Sequence, residues 1–481
     1  MIVLSKTKEL CTLKGSCQLF SLLKKHKGIL YVFSANFISL LIGAVLSLLI
    51  PCLLNIENYG YYKQFTLYLS YVGLLHFGFN DGIYLEYGGF DYKDLKKSQF
   101  RMYFRYLFYQ QLLVAIFLFI LIYFLFNNQN RFFIFSFVSI NMVLLNLAKY
   151  FSYISQITKR FVLYSMAYLV EKTALIIPIL FLYFIKIKLF QYVILSQTII
   201  NIFLILLFII TYKDIVFGDK ENQNRKEIKR ILSLGITLTL GNFIIIMIFN
   251  IDRFMIDLLL PIKDFSVYSL AVQFLSIILV FVTSVSMLLY PYLKRKDVGN
   301  YKMYYQNLSK LTSLFSILAL SLYFPVHYII TNYLPQFKGS ITIFLILLPG
   351  VILRGEIDIV FNNLFKSLKK QKVFFTIAII VLLIAIVLNI LFFNIFHSLY
   401  AFSYATLLTF VFWYIISDIY LMIYFKIRNF KKYVMIIISY SIYFFSANFH
   451  NILQGFMLYL LLIFILIFLS FLKDIIKFSH A

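Results

Sequence analysis

The chain has 481 residues, 62% of them hydrophobic and 13% charged, with a mean hydropathy of +0.90. No water-soluble domain hides that much apolar surface, and the apolar runs are long rather than short and alternating, which excludes a β-barrel and leaves an all-α polytopic membrane protein. Forty-four Lys and Arg against 19 Asp and Glu give +25, which beside a bilayer marks loops held at the anionic cytoplasmic face rather than a nucleic-acid site.

The tail, residues 1–28, shows no small-residue cleavage site after a short apolar core, so the first apolar block reads as an uncleaved span. Blocks at 29–54, 62–86, 102–127, 132–157, 161–185 and 189–212 predict six helices. A polar connection, 213–230, follows. Further blocks at 232–258, 265–292, 304–333, 340–365, 373–396, 398–425, 433–449 and 452–472 predict eight more, about 14 in all. Cys11, Cys17 and Cys52 have no metal-ligand spacing. Pro51, Pro178, Pro325 and Pro349 fall in or at the edges of spans and can bend them.

With both tails cytoplasmic, 33 Lys and Arg fall in the tails and even-numbered connections, against five (Arg131, Lys186, Lys188, Lys263 and Lys338) in the odd ones. One span too many or too few before any basic loop would scramble that alternation, so the ratio supports number and orientation together. The odd connections are short and hold no catalytic domain. No P-loop, metal-spaced His/Cys set or nucleophile–base pair occurs, so neither an enzyme nor a cofactor is expected.

An internal repeat runs at an offset of 206 residues. Ala35-Asn36-Phe37 matches Gly241-Asn242-Phe243, and Glu57-Asn58-Tyr59-Gly60-Tyr61-Tyr62 matches Lys263-Asp264-Phe265-Ser266-Val267-Tyr268. Lys24 pairs with Arg230 in the same register. Six spans separate the copies, so they share one orientation and are related by an axis along the membrane normal. The expected organisation is a tail (1–28), an N-terminal lobe (29–212), a connecting loop (213–230), a C-terminal lobe (231–425) and two added helices (426–481), with a cavity between the lobes.

The passage from Asn36 through the Glu57-to-Tyr62 turn to Phe77-Gly78-Phe79 resembles the start of bacterial O-antigen and capsule polysaccharide flippases. Phe249 to Ile256, followed by Val267-Tyr268-Ser269-Leu270-Ala271, is similar to that family's Asp-Arg and Tyr-x-x-Ala segment, and the basic turn Lys366 to Lys372 resembles the one between its spans 10 and 11. Ser266 departs from the Gly frequent there. These Wzx-like proteins belong to the multidrug/oligosaccharidyl-lipid/polysaccharide (MOP) exporter superfamily. The resemblance implies two six-helix lobes around a cationic cavity, and passage of an undecaprenyl-pyrophosphate-linked oligosaccharide across the bacterial cytoplasmic (inner) membrane. A polysaccharide polymerase and chain-length machinery would be partners.

An ionisable group at span depth costs about 2.5 to 3.5 kcal/mol, so it faces a cavity or a partner. Lys63, Lys149, Lys172, Arg253 and Arg354 are the deep cations. They suit a pyrophosphate, which exchanges hydration for charge-assisted hydrogen bonds. Arg354 with Asp358 and Arg253 with Asp257 have the i,i+4 spacing of internal pairs, whereas Lys63 and Lys149 have no carboxylate so placed and are the cleaner candidates for substrate contact. Glu171, Asp252, Glu356 and Asp418 are candidates for coupling H+ or Na+, or for plain ion pairs, and His76 for a proton relay or a packed histidine. A multidrug antiporter would need acidic cavity residues instead. A polysaccharide polymerase or glycosyltransferase would need a larger loop or domain than this chain has.

Overall fold

The computed structural model describes residues 27–219, 224–294, 301–427 and 430–479, so most of the expected tail, with Cys11, Cys17 and Lys24, lies outside the described residues. In hydrocarbon the backbone must satisfy its own polar groups, and the described residues accordingly form helices joined by short turns. The crossing runs are α1 (Lys27–Leu53), α2 (Ile56–Leu69 and Phe79–Glu86), α3 (Lys97–Leu125), α4 (Gln129–Ile157), α5 (Phe161–Ile185), α6 (Phe190–Thr211) and α7 (Arg225–Leu259). They continue as α8 (Ile262–Lys294), α9 (Tyr301–Leu320 and Tyr323–Tyr333), α10 (Gly339–Glu356 and Asn362–Ser367), α11 (Gln371–Phe396), α12 (Leu399–Phe425), α13 (Phe430–Ala447) and α14 (Ile452–Ser479). Nine of the described helices are long and apolar enough to cross a membrane; the other runs are broken or have shorter apolar cores.

Connections alternate between two ends. At the basic end, Gly89 N–H donates to Ile157 O, Lys97 meets Asp214 and Arg101 donates to Phe217 O, joining the 2–3, 4–5 and 6–7 connections. At the opposite end, Phe190 N–H reaches Asn58, Gln336 donates to the carbonyls of Pro51 and Leu54, and Lys263 pairs with Glu57.

Packing repeats with a shift of six helices. Within the first six, α1 lies on α5, α2 on α4, α3 on α4, α4 on α6 and α5 on α6; within the next six, α7 lies on α11, α8 on α10, α9 on α10, α10 on α12 and α11 on α12. The 206-residue register also has a spatial signature: a two-fold axis brings equivalent positions face to face. Glu57 and Lys263, 206 apart, form a 3.2 Å ion pair. A Cβ built on Gly60 would stand 3.2 Å from that of Ser266, again 206 apart. Helices α13 and α14 pack on each other and against α9. Leu113, Ile116, Phe117 and Ile120 of α3 point outward, as a lipid-facing surface requires.

Three breaks interrupt the helices where hydropathy shows none. In α2 a 3₁₀ turn, Val72–His76, leads to Phe77 and Gly78, both left-handed (φ 51° and 87°). The freed carbonyls are taken by amides from neighbouring helices: Asn146 donates to Val72 O at 3.1 Å and Gln111 to Leu75 O at 3.0 Å. α9 breaks at Ser321-Leu322. α10 carries a π turn, Ile357–Phe361, beyond Pro349. The first six and next six helices meet along α2, which touches α8 with its longer piece and α7 with its shorter one.

Candidate translocation site between the two six-helix halves

At the opposite end from the basic connections, α7 is the hub of a polar seam. Asp257 accepts from Gln64 Nε2 (2.8 Å) and Tyr68 OH (2.7 Å) of α2, and Arg131 of α4 lies 3.7 Å from its carboxylate while donating to its backbone carbonyl. One turn earlier Asp252 accepts from Tyr268 OH (2.5 Å), Thr406 (3.0 Å) and the Arg253 backbone N–H. Arg253 donates to Asn250 rather than to Asp257, and its buried Nε has no partner. The expected i,i+4 pair therefore does not form, because α2 and α4 occupy Asp257.

Lys63, 8% exposed, donates to Gln273 Oε1 of α8, and Gln273 donates in turn to Ser47 of α1 at 2.6 Å. Its ammonium lies 5.3 Å and 5.7 Å from the ring centres of Tyr59 and Tyr62. Its hydrogen-bond partner is thus a neutral amide. Arg354, by contrast, makes the anticipated 3.1 Å pair with Asp358, its guanidinium about equidistant from Phe249 (4.9 Å) and Trp413 (5.0 Å). Phe249 precedes Asn250, so Arg354 and Arg253 flank consecutive positions of α7. Lys63 joins them at the α2–α8 contact.

The other expected cations stand apart. Lys149 has no carboxylate at i,i+4 in its own helix, but its ammonium lies 3.4 Å from Asp81 of α2, with His76 Nε2 at 3.0 Å. Asp81 also accepts from Tyr153 OH (2.8 Å) and from Thr239 of α7, and His76 Nδ1 accepts the Gly78 N–H (3.1 Å). The partner was hidden because it comes from another helix. Lys172 lies 3.1 Å from its neighbour Glu171, both about a quarter to a third exposed.

Two residues counted as loop charges make ion pairs within the helix bundle, one half-exposed and one buried. Arg131 reaches Asp257, and Lys432 is only 6% exposed, 2.8 Å from Glu356 and 3.1 Å from Asp418. Both sit at helix ends, where a long side chain can turn inward as easily as outward. Among the described residues no group of three or more His, Cys, Asp or Glu is placed to hold a metal ion.

At the basic end the seam is made of backbone. Gly78 and Gly82 of α2 lie directly against Gly235 and Ile231 of α7, leaving no room for a Cβ. Arg230 closes this contact with bonds to Glu86 (2.8 Å) and Glu227 (3.0 Å), and Tyr103 OH donates to Glu227 (2.9 Å). At 1.5 Å per residue α7 is far longer than a bilayer core, so these groups stand outside it. The Arg230 bonds hold the Glu227 carboxyl below its usual range.

A polytopic helical bundle of two like-oriented halves, meeting at a charged seam, is the architecture of the MOP exporter superfamily. Three solved structures share it: a lipid II flippase MurJ in an inward closed conformation (TM-score 0.68, 16% identity, 92% of this chain and 99% of that one), an inward-facing MATE-family multidrug resistance transporter (0.64, 12%, 80% and 94%), and a Vibrio cholerae MATE transporter (0.55, 12%, 82% and 94%). Such identities show the fold alone. No curated protein matches the sequence. Residues 26–297 match the family described as "Polysaccharide biosynthesis protein". The chain belongs to that family.

Proposed function

We propose that the protein is a flippase, not an enzyme, that carries an undecaprenyl-pyrophosphate-linked oligosaccharide, an O-antigen or capsule repeat unit, from the inner to the outer leaflet of the bacterial cytoplasmic membrane. The basic end faces the cytoplasm, as do both termini. Two lobes, 29–212 and 231–425, rock against each other about the α2 seam, with 213–230 as connector and 426–481 as the added pair. Polysaccharide polymerase and chain-length machinery receive the product.

One observation carries the reading. Lys63 is a buried ammonium on the seam whose hydrogen-bond partner is a neutral amide, so it keeps an unspent charge for an anion. Arg253 and Arg354 lie along the same stretch of α7. Lys172 extends this set on α5, beside Glu171, and Lys149 meets the headgroup nearer the cytoplasm. Glu171, Asp252, Glu356 and Asp418 are the carboxylates proposed to couple transport to H+ or Na+.

The test is complementation of a flippase deletion. Lys63→Ala and Arg253→Ala are expected to abolish surface polysaccharide while the protein stays in the membrane, and Lys63→Arg to restore part of it. Normal polysaccharide from both alanine variants would overturn the cation assignment. Drug sensitivity on deletion, with polysaccharide intact, would replace the reading with a multidrug antiporter.

A further inference from the structure

The added pair, α13 and α14, reaches the second half with tyrosine hydroxyls, and two of these meet carbonyls that their own helices cannot satisfy. Pro349 lies inside α10 and has no N–H, so the carbonyl one turn earlier, Leu345 O, loses its helical donor. Tyr443 OH of α13 donates to that oxygen at 3.1 Å. At the break in α9, the Ser321 and Leu322 N–H groups turn back only three residues, to Leu318 O and Ala319 O, which leaves Ile317 O without its donor. Tyr459 OH of α14 donates there at 2.5 Å. Both tyrosines are fully buried, and their rings meet edge to face with centres 6.4 Å apart.

A carbonyl left unpaired in hydrocarbon is costly, so each hydroxyl stabilises one bent form of the helix it touches. In α10 the bend has a consequence farther along. Five residues beyond Pro349, Arg354 rests between Phe249 of α7 and Trp413 of α12. Past Arg354 the π turn is held by α8, where Ser286 Oγ donates to Asp358 O at 2.6 Å. The stretch that carries Arg354 is therefore pinned at both ends.

We infer that Tyr443 is a positioning residue: its hydroxyl replaces the N–H that Pro349 lacks, fixes the bend of α10, and so holds Arg354 against the seam. Its bearing on transport rests on the role proposed for Arg354. Tyr459 does for the break in α9 what Tyr443 does for the bend in α10, which makes the added pair a brace for both.

The test reads Trp413, the single tryptophan of the chain, in purified full-length protein in detergent without substrate. Arg354→Ala defines the change in Trp413 emission that follows loss of the guanidinium beside its ring. Tyr443→Phe removes one oxygen, and is expected to shift emission in the same direction and to lower the unfolding temperature by roughly 2 to 4 °C. Pro349→Ala restores an N–H for Leu345 O, so adding Tyr443→Phe to it is expected to change neither readout; Pro349→Leu serves if the alanine variant does not fold. Tyr459→Phe, whose carbonyl belongs to α9, is expected to cost the same in either background. Wild-type emission from Tyr443→Phe, or an effect of that substitution undiminished by Pro349→Ala, overturns the inference. These readouts need no cargo, so they decide the inference apart from the transport role of Arg354, which normal surface polysaccharide from Arg354→Ala would overturn by itself.

Discussion

The two ends of α2 are held to the second half in different proportions of backbone and side chain. Toward the α7–α8 connection one close backbone approach, Gly60 against Ile262 O, is joined by a side-chain network: Gln64 and Tyr68, with Arg131 of α4, on Asp257, and Lys63 on Gln273. Toward the basic end the backbones themselves touch, through Gly78, Gly82 and Gly235, with one ionic clasp at the rim. A side-chain seam can exchange its partners for a ligand or water without moving a helix. A backbone seam cannot, so it opens only by bodily separation.

The largest effect should come from Gly235→Leu. Its Cβ would fall on Gly78 O and Gly82 N, atoms that cannot rotate away, and overpacking of this kind costs about 3 kcal/mol or more. In a background lacking the native cysteines, a probe at Ile83→Cys is expected to become maleimide-reactive from the basic end; unchanged protection would mean that the glycines do not form the closure.

Asp257→Ala comes next. It strands a buried amide, a hydroxyl and a guanidinium at once, a loss of about 2 to 4 kcal/mol in unfolding free energy. Asp257→Asn, which keeps an acceptor, is expected to recover about half of it. Equal losses from both variants would mean that charge, not hydrogen bonding, holds that seam.

Glu86→Gln should have the smallest effect, since its bond to Arg230 is half-exposed and screened by salt. The clasp has a defined pH window. Because Glu227 is held below its ordinary value of 4.5, its contribution is fully present above that value and fades as pH falls through the lowered one. Labelling at Ile83→Cys should therefore stay constant from neutral pH down to about pH 5. A rise within that range would tie the closure to another group.

Much of the fold was legible because lipid imposes one rule on every span. The run 161–185 was expected residue for residue, and the other boundaries fell within a few positions, except the starts of α2 and α7 and the end of α14. The breaks were not legible. Val72 to His76 is mostly apolar, and the amides that permit the turn, Gln111 and Asn146, lie on other helices. Charge pairing divided in the same way: Arg354–Asp358 needed only helical spacing, whereas Lys149–Asp81 and Lys432–Asp418 needed to know which helices are neighbours. The ion pairs of Lys432 and Arg131 were not legible either, because proximity to a loop says nothing of which way a side chain turns.

The broken middle of α2 is also unequal. Its longer piece has 14 residues and its shorter one eight, about 21 Å and 12 Å, and the 3₁₀ turn Val72–His76 adds to the longer side of Phe77 and Gly78. A given rotation about that fulcrum therefore sweeps the far tip wider than the near one. Arms of unequal length turn one rotation into a small displacement at the basic end and a larger one at the other.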